Sequence, residues 1–193
     1  MFVMTIDQRG SRQDTDRVDW AISRLERLSW VRRPERTAGD ELQAVAGESA
    51  VVVDAVLDLI ADGHWSVGIG TGPVDEPLPR STRAGRGRAF EAARDAVEAA
   101  KSAPVPVQVR GTSPAAAGRA EAMLSVLGLI VARRTAQGRE VVALMDEGIT
   151  QSVAAERLGI SRQAVSQRLA AAGYTVERPA RDVAAYLLRE ADS

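Results

Sequence analysis

Residues 150–169 read TQSVAAERLGISRQAVSQRL, and this stretch decides how the C-terminal part of the chain folds. Two short apolar-periodic segments flank Gly159, which permits the left-handed backbone that a tight turn between helices requires. Ala155 is small where two helices must cross closely, and Leu158, Ile160, Val165 and Leu169 supply the apolar wedge between them. Ser161 stands just before the second segment, where its hydroxyl can accept from a backbone N–H of the first turn. Arg162, Gln163, Ser166 and Gln167 then project from the first turns of that second helix. Thr150 and Gln151 open the helix before it, and Arg168 follows further along.

Around this stretch the signal stays helical. Residues 119–134 carry Met123, Leu124, Leu127, Ile130 and Val131 at helical spacing, which suits a scaffold or dimer helix. Short helices are expected over 140–147 and 152–158, a third over 162–172, and a last from Pro179 through Arg189. Residues 111–118 (GTSPAAAG) read as a linker, and no strand signal follows them.

Before the linker, strand and helix signals alternate. Residues 2–6 (FVMTI) form a β-prone apolar run ending at Asp7, and Val18, Ile22, Leu25 and Leu28 follow helical spacing. Residues 36–45 (RTAGDELQAV) carry Gly39-Asp40, a strong hairpin signal. A helix follows over 49–62, with Gly63 as its stop and with Asp54 and Asp58 on a solvated face. Residues 65–69 (WSVGI) read as a strand and 88–102 as a helix with a Phe90, Ala93, Val97, Ala100 stripe. Val105, Val107 and Val109 alternate as in a strand that Pro104 and Pro106 confine to an edge. The order βαββαβαβ implies an antiparallel or mixed sheet with helices packed on it, the α+β class, over residues 1–111, followed by an all-α domain over 112–193.

Composition narrows the chemistry. The 193 residues, 45% of them apolar, suffice for one ordinary domain or two small ones. No cysteine is present, which removes disulfides and thiolate chemistry, and one histidine excludes a multi-histidine metal site. Carboxylates, arginines and hydroxyls remain. A net charge of -1 demands no polyanionic partner in bulk, so any such partner must be read from local clusters. No signal peptide and no apolar run of about 18 residues is apparent, so the expected location is the cytoplasm with no membrane partner.

The 150–169 motif resembles the helix-turn-helix of sigma-factor region four and of many bacterial regulators. The resemblance implies double-stranded DNA as partner. Arg162, Gln163, Ser166 and Gln167 lie where such proteins reach base edges in the major groove, Thr150, Gln151 and Arg168 are placed for phosphates, and Ser161, which caps the helix, belongs to the same DNA-binding set. Arg and Gln suit this work because their paired hydrogen-bonding groups match guanine and adenine edges. Taken as a hairpin alone, the same residues also fit a pair of helices that only packs or that binds protein.

A second resemblance spans about the first hundred residues. Asp7 to Ser11 (DQRGS), residues 36–42 (RTAGDEL), 66–74 (SVGIGTGPV) and 89–94 (AFEAAR) follow in the order of the class III nucleotidyl cyclase motifs. That family has a ferredoxin-like palm. The segment DQRGSR is also similar to the start of SatD-like proteins. The resemblance implies Asp7 and Asp40 as ligands of Mg²⁺, which prefers one or two carboxylates plus phosphate and water oxygens. It implies Arg36 and Arg94 as nucleotide-binding residues, Arg94 matching the arginine that stabilises transition-state charge. Phe90 stands where the family has a polar asparagine, so an inactive cyclase-like domain serving dimerisation or nucleotide sensing is expected, in a homodimeric regulator. An active cyclase or phosphotransferase with an accessory helix-turn-helix is the alternative. Read from turn chemistry alone, Asp7 and Asp40 equally suit a turn cap and a hairpin tip.

Overall fold

A period of two along each central strand sorts the side chains of this protein onto two differently covered faces. The computed structural model describes residues 1–11 and 14–193; Arg12, part of the DQRGSR match, lies outside the described residues. In chain order the first elements are β1 (Phe2–Gln8), α1 (Val18–Leu25), β2 (Arg32–Ala38), β3 (Glu41–Ala46), α2 (Ser49–Asp62), β4 (Trp65–Thr71), α3 (Arg88–Ala100) and β5 (Val107–Arg110). The order is the expected βαββαβαβ. The five strands form one mixed sheet, β2-β3-β1-β4-β5, in which only the β4–β5 pair is parallel. Each of the first two strand-helix-strand connections therefore steps over one antiparallel strand, β3 in the first case and β1 in the second.

One face carries Phe2, Met4 and Ile6 of β1, Trp65, Val67 and Ile69 of β4, and Val107 and Val109 of β5, all in a single apolar core with α1 and α2. The other face carries Val3 and Val45 against Ala89, Phe90 and Ala93 of α3. On β4 this second face is Ser66, Gly68 and Gly70. A Cβ at Gly68 would lie 2.2 Å from the Val97 backbone nitrogen, and one at Gly70 would lie 1.9 Å from the Ala89 carbonyl oxygen. Only glycine lets the backbone of α3 lie this close to the strand.

The chain continues as α4 (Pro114–Ala132), α5 (Ala136–Asp146), α6 (Gln151–Leu158), α7 (Arg162–Ala171) and α8 (Tyr174–Asp192). Two sequence expectations change here. Most of the expected linker is helical: Ser113 caps α4 by accepting from the Ala116 N–H, Pro114 occupies the first turn, and Ala116 and Ala117 are buried. The last helix starts at Tyr174 and contains Pro179 in its interior, because packing of its later apolar face outweighs one lost backbone hydrogen bond. Helix α4 is also long and apolar enough, at 19 residues, to meet the length and composition of a membrane span, contrary to the reading from the sequence. Its alanines, leucines, valines and isoleucine raise its mean hydropathy, and seven of its residues are buried against the rest of the chain.

Helices α4 and α8 contribute Leu124, Leu127, Val131, Ala184 and Leu188 to the same core as the sheet and α2, so residues on both sides of position 111 build it. Helices α5, α6 and α7 have a small core of their own, centred on Val141, Ala154, Val165 and Leu169. The expected solvated face of α2 is engaged: Asp54 pairs with Arg181 of α8 at 2.7 Å, and Asp58 pairs with Arg24 and Arg27. Arg134, just past α4, and Glu177 of α8 are both buried. The guanidinium donates to the Ala172 carbonyl at 2.9 Å and to the Glu177 carboxylate at 3.3 Å, and Arg181 holds the same carboxylate.

Two stability changes are expected. Gly70→Ala drives a methyl into helix backbone that cannot step aside, costing about 3 kcal/mol or more in chemical denaturation. Glu177→Ala strands the buried Arg134 guanidinium and costs about 3 to 5 kcal/mol, much of which returns in Glu177→Ala/Arg134→Met, where that charge is gone and Arg181 still has Asp54.

Candidate functional site

Continuing the alternation of β1 past Val3 and Thr5 places Asp7 on the face covered by α3. Asp7 is aligned with Glu41 of β3 and with Ser66 of β4. Asp40 sits at the tip of the β2–β3 hairpin, its carbonyl accepting from the Gln8 N–H at 3.2 Å. Gln8 is buried, and its amide ties down the following loop by donating to the Thr15 carbonyl and accepting from the Arg17 N–H, at 2.7 and 2.8 Å. Asp7, Asp40, Ser66 and the Gly10–Ser11 turn thus line one cavity of about 620 Å³. The structure brings the two sequence-predicted aspartates together.

It also adds two residues that the sequence did not single out. Lys101, immediately after α3, lines the same cavity, with its ammonium 2.6 Å from the Asp7 carboxylate and 2.7 Å from Glu98. Burial pushes the Asp7 carboxyl above its ordinary pKa, with the Asp40 and Glu41 charges adding to that shift and Lys101 opposing it. Asp40 moves the other way, held down first by a hydrogen bond from Ser11 and also by one from Asp7. The two neighbouring carboxyls are thus shifted in opposite directions. Ser66 is 1% exposed, and its Oγ has no hydrogen-bond partner among the described residues. The Ser66 signal lay in the alternation of WSVGIGT, which puts this hydroxyl on the face of the two packing glycines. Nothing in the sequence marked Lys101 beyond its being the chain's one lysine.

Two carboxylates and an orphaned buried hydroxyl form an all-oxygen donor set, which fits Mg²⁺ or a similar hard cation. Among the described residues no three carboxylate or imidazole side chains group around one point, so water or a phosphate would complete the coordination. Arg36 and Arg94 do not line this cavity. Arg36 lies on β2 and is paired with Asp16 and Asp19 at 2.8 and 3.4 Å. Arg94 lines a second cavity of about 730 Å³ with Arg83, Arg86 and Arg88, opposed there by Asp75 and Glu91. Phe90 reaches that cavity too, but its ring is buried against Gly85. The loop before α3 is pinned from β2, because the Arg32 guanidinium donates to the carbonyls of Leu78 and Pro79 at 2.6 and 2.5 Å.

At the other end of the chain, α6 and α7 meet at Gly159, whose φ of 63° is left-handed. Thr150 and Ser161 cap their helices, accepting from the N–H groups of Val153 and Ala164. Ala155, Val165 and Leu169 are buried between the helices, as the spacing requires. Arg162, Gln163, Ser166 and Gln167 are all exposed along one side of α7. Gln151 is half-buried, and so is Arg168, whose guanidinium lies 3.9 Å from Glu140.

Ser66→Ala removes a buried hydroxyl that finds no partner, so the variant is expected to be more stable by about 1 kcal/mol; a drop in its thermal midpoint would show the hydroxyl to be structural. Compared with known proteins, the chain matches no family model, no curated protein and no solved structure.

Proposed function

We propose that this protein is a sequence-specific DNA-binding regulator in which the sheet domain senses a ligand or mediates dimerisation. The observation that carries the reading is α7. A helix capped by Ser161 presents Arg162, Gln163, Ser166 and Gln167 to solvent, and it is braced from behind by α5 and α6 through Val141, Val165 and Leu169. Four side chains with donor or donor-acceptor ends along one exposed side suit reading of base edges, and a bidentate Arg or Gln contact discriminates by about 1 to 3 kcal/mol. Thr150, Gln151 and Arg168 are assigned to phosphates. A homodimer would present two such helices to two half-sites.

In this reading the sheet domain is a ferredoxin-like palm of the cyclase type, which the interleaved strand order supports. Asp7 and Asp40 would hold Mg²⁺, which when bound would neutralise the phosphates of a nucleotide ligand. Arg36 and Arg94 are assigned to nucleotide binding on the resemblance alone. Such a ligand would alter DNA affinity only by preferring one arrangement of the dimer. Asp7, Asp40 and the orphaned Ser66 hydroxyl in one cavity also favour a second reading, an active nucleotidyl cyclase or phosphotransferase. Against it stands Phe90, a buried apolar ring where that chemistry uses a polar group.

Enrichment of genomic duplex fragments on the purified chain is expected to select one sequence, and Arg162→Ala/Gln163→Ala is expected to weaken it about 10- to 100-fold. No selection at any salt concentration would overturn the regulator reading. Turnover of ATP or GTP with Mn²⁺, abolished by Asp7→Ala and Asp40→Ala, would establish the enzyme instead.

A further inference from the structure

The cavity at the end of β1 contains its own cation. Lys101 reaches into it from the end of α3 and contacts Asp7 at 2.6 Å, while its side chain remains 43% exposed. Its second partner, Glu98, is one turn back on the same helix at 2.7 Å and is more exposed still. The ammonium therefore has somewhere to go: it can leave Asp7, keep Glu98 and rest in solvent. Of the 25 basic residues in the chain this is the single lysine. The difference matters here, because a guanidinium would grip a carboxylate with a rigid two-point fork, whereas an ammonium is a compact charge on a flexible stem.

Arg9 also lines the cavity, but it is exposed and makes no ion pair among the described residues, so Lys101 is the cation that meets Asp7. Asp7 and Asp40 both line the cavity, Glu41 is aligned with Asp7 across the β1–β3 pair, and the Asp7 side chain is largely withdrawn from water. The Ser66 hydroxyl, aligned with Asp7 across the β1–β4 pair, is buried and has no partner among the described residues. Lys101 satisfies the charge of one carboxylate, but it leaves that oxygen donor unused. A divalent cation would use the oxygen donors together.

We propose that Lys101 is a tethered competitor for a divalent cation at Asp7 and Asp40, so that the cation and the ammonium occupy the Asp7 carboxylate alternately. This rests on the cation reading of the two aspartates given above, and it adds a built-in threshold to it. Cation binding then costs the Lys101–Asp7 ion pair, and the site fills only where the divalent ion is abundant or arrives with a phosphate.

The test is Mn²⁺ binding to the full chain, followed by electron paramagnetic resonance of the free ion. Lys101→Met keeps the length of the stem and removes the charge. It is expected to bind Mn²⁺ about tenfold more tightly than the unaltered chain, since one positive charge within contact distance of the site is gone. Lys101→Arg is expected to bind no more tightly than the unaltered chain, and Asp7→Asn to lose binding. Thermal melts confirm that each variant folds. If the unaltered chain binds Mn²⁺, Asp7→Asn abolishes it and Lys101→Met binds equally or more weakly, the aspartates are a cation site and the competitor role is overturned. If neither the unaltered chain nor Lys101→Met binds Mn²⁺ at millimolar concentration, both the competitor role and the cation site fall.

Discussion

The close approach of α3 to β4 is the constraint on which much of the molecule depends. Where Ser66, Gly68 and Gly70 face the helix, there is no room for a single methyl at the two glycines, and backbone meets backbone. That contact fixes the height and path of α3 across the sheet. It sets Phe90 and Ala93 onto Val3 and Val45, and it delivers Lys101 to the end of β1, where Asp7 and the hairpin tip meet. The polar row on this face follows from the same geometry. Thr5 and Gln43 bond to each other at 3.1 Å, and Asp7 and Ser66 end the row where helix cover gives way to a cavity.

The helical region joins the sheet domain through charge as well as apolar packing. Glu177 receives Arg134 from the end of α4 and Arg181 from its own helix, while Arg181 also reaches Asp54 on α2. Arg134 in turn holds the carbonyl that ends α7. Asp146 at the end of α5 lies in the same field, and burial pushes its carboxyl above the ordinary value against the pull of Arg181 and Arg178. The small α5–α7 core is thus tied to α2 by a few directional contacts rather than by a continuous apolar interface. Removing one member of a buried ion pair such as Arg134–Glu177 costs more than the intact pair adds to stability.

Much of this was legible in the residues. The element order, the edge position of β5, the hairpin at Gly39-Asp40 and the cap at Ser161 all follow from local rules that act over a few residues. Asp7 and Asp40 became candidates through the family resemblance of their motifs, Asp7 closing the first apolar run and Asp40 standing at the hairpin tip. The errors are equally local in origin. GTSPAAAG has the composition of a linker, yet three alanines behind a proline and a serine cap are also a good first helical turn. Pro179 looks like a helix start, but the apolar face of the residues after it holds the whole of α8 against α4 and α2.

The sequence by itself determined the alternation of faces, the period of each helix and the turn geometry at Gly159, since these depend on residue type and near neighbours. Only the tertiary structure decided which charges meet. Lys101 and Asp7 are 94 positions apart, and they are joined because α3 crosses the sheet on two glycines. Arg94, seven residues earlier on the same helix, faces a different cavity altogether. A residue's chemistry is written in the chain, but its partner is fixed by how helices and strands stack.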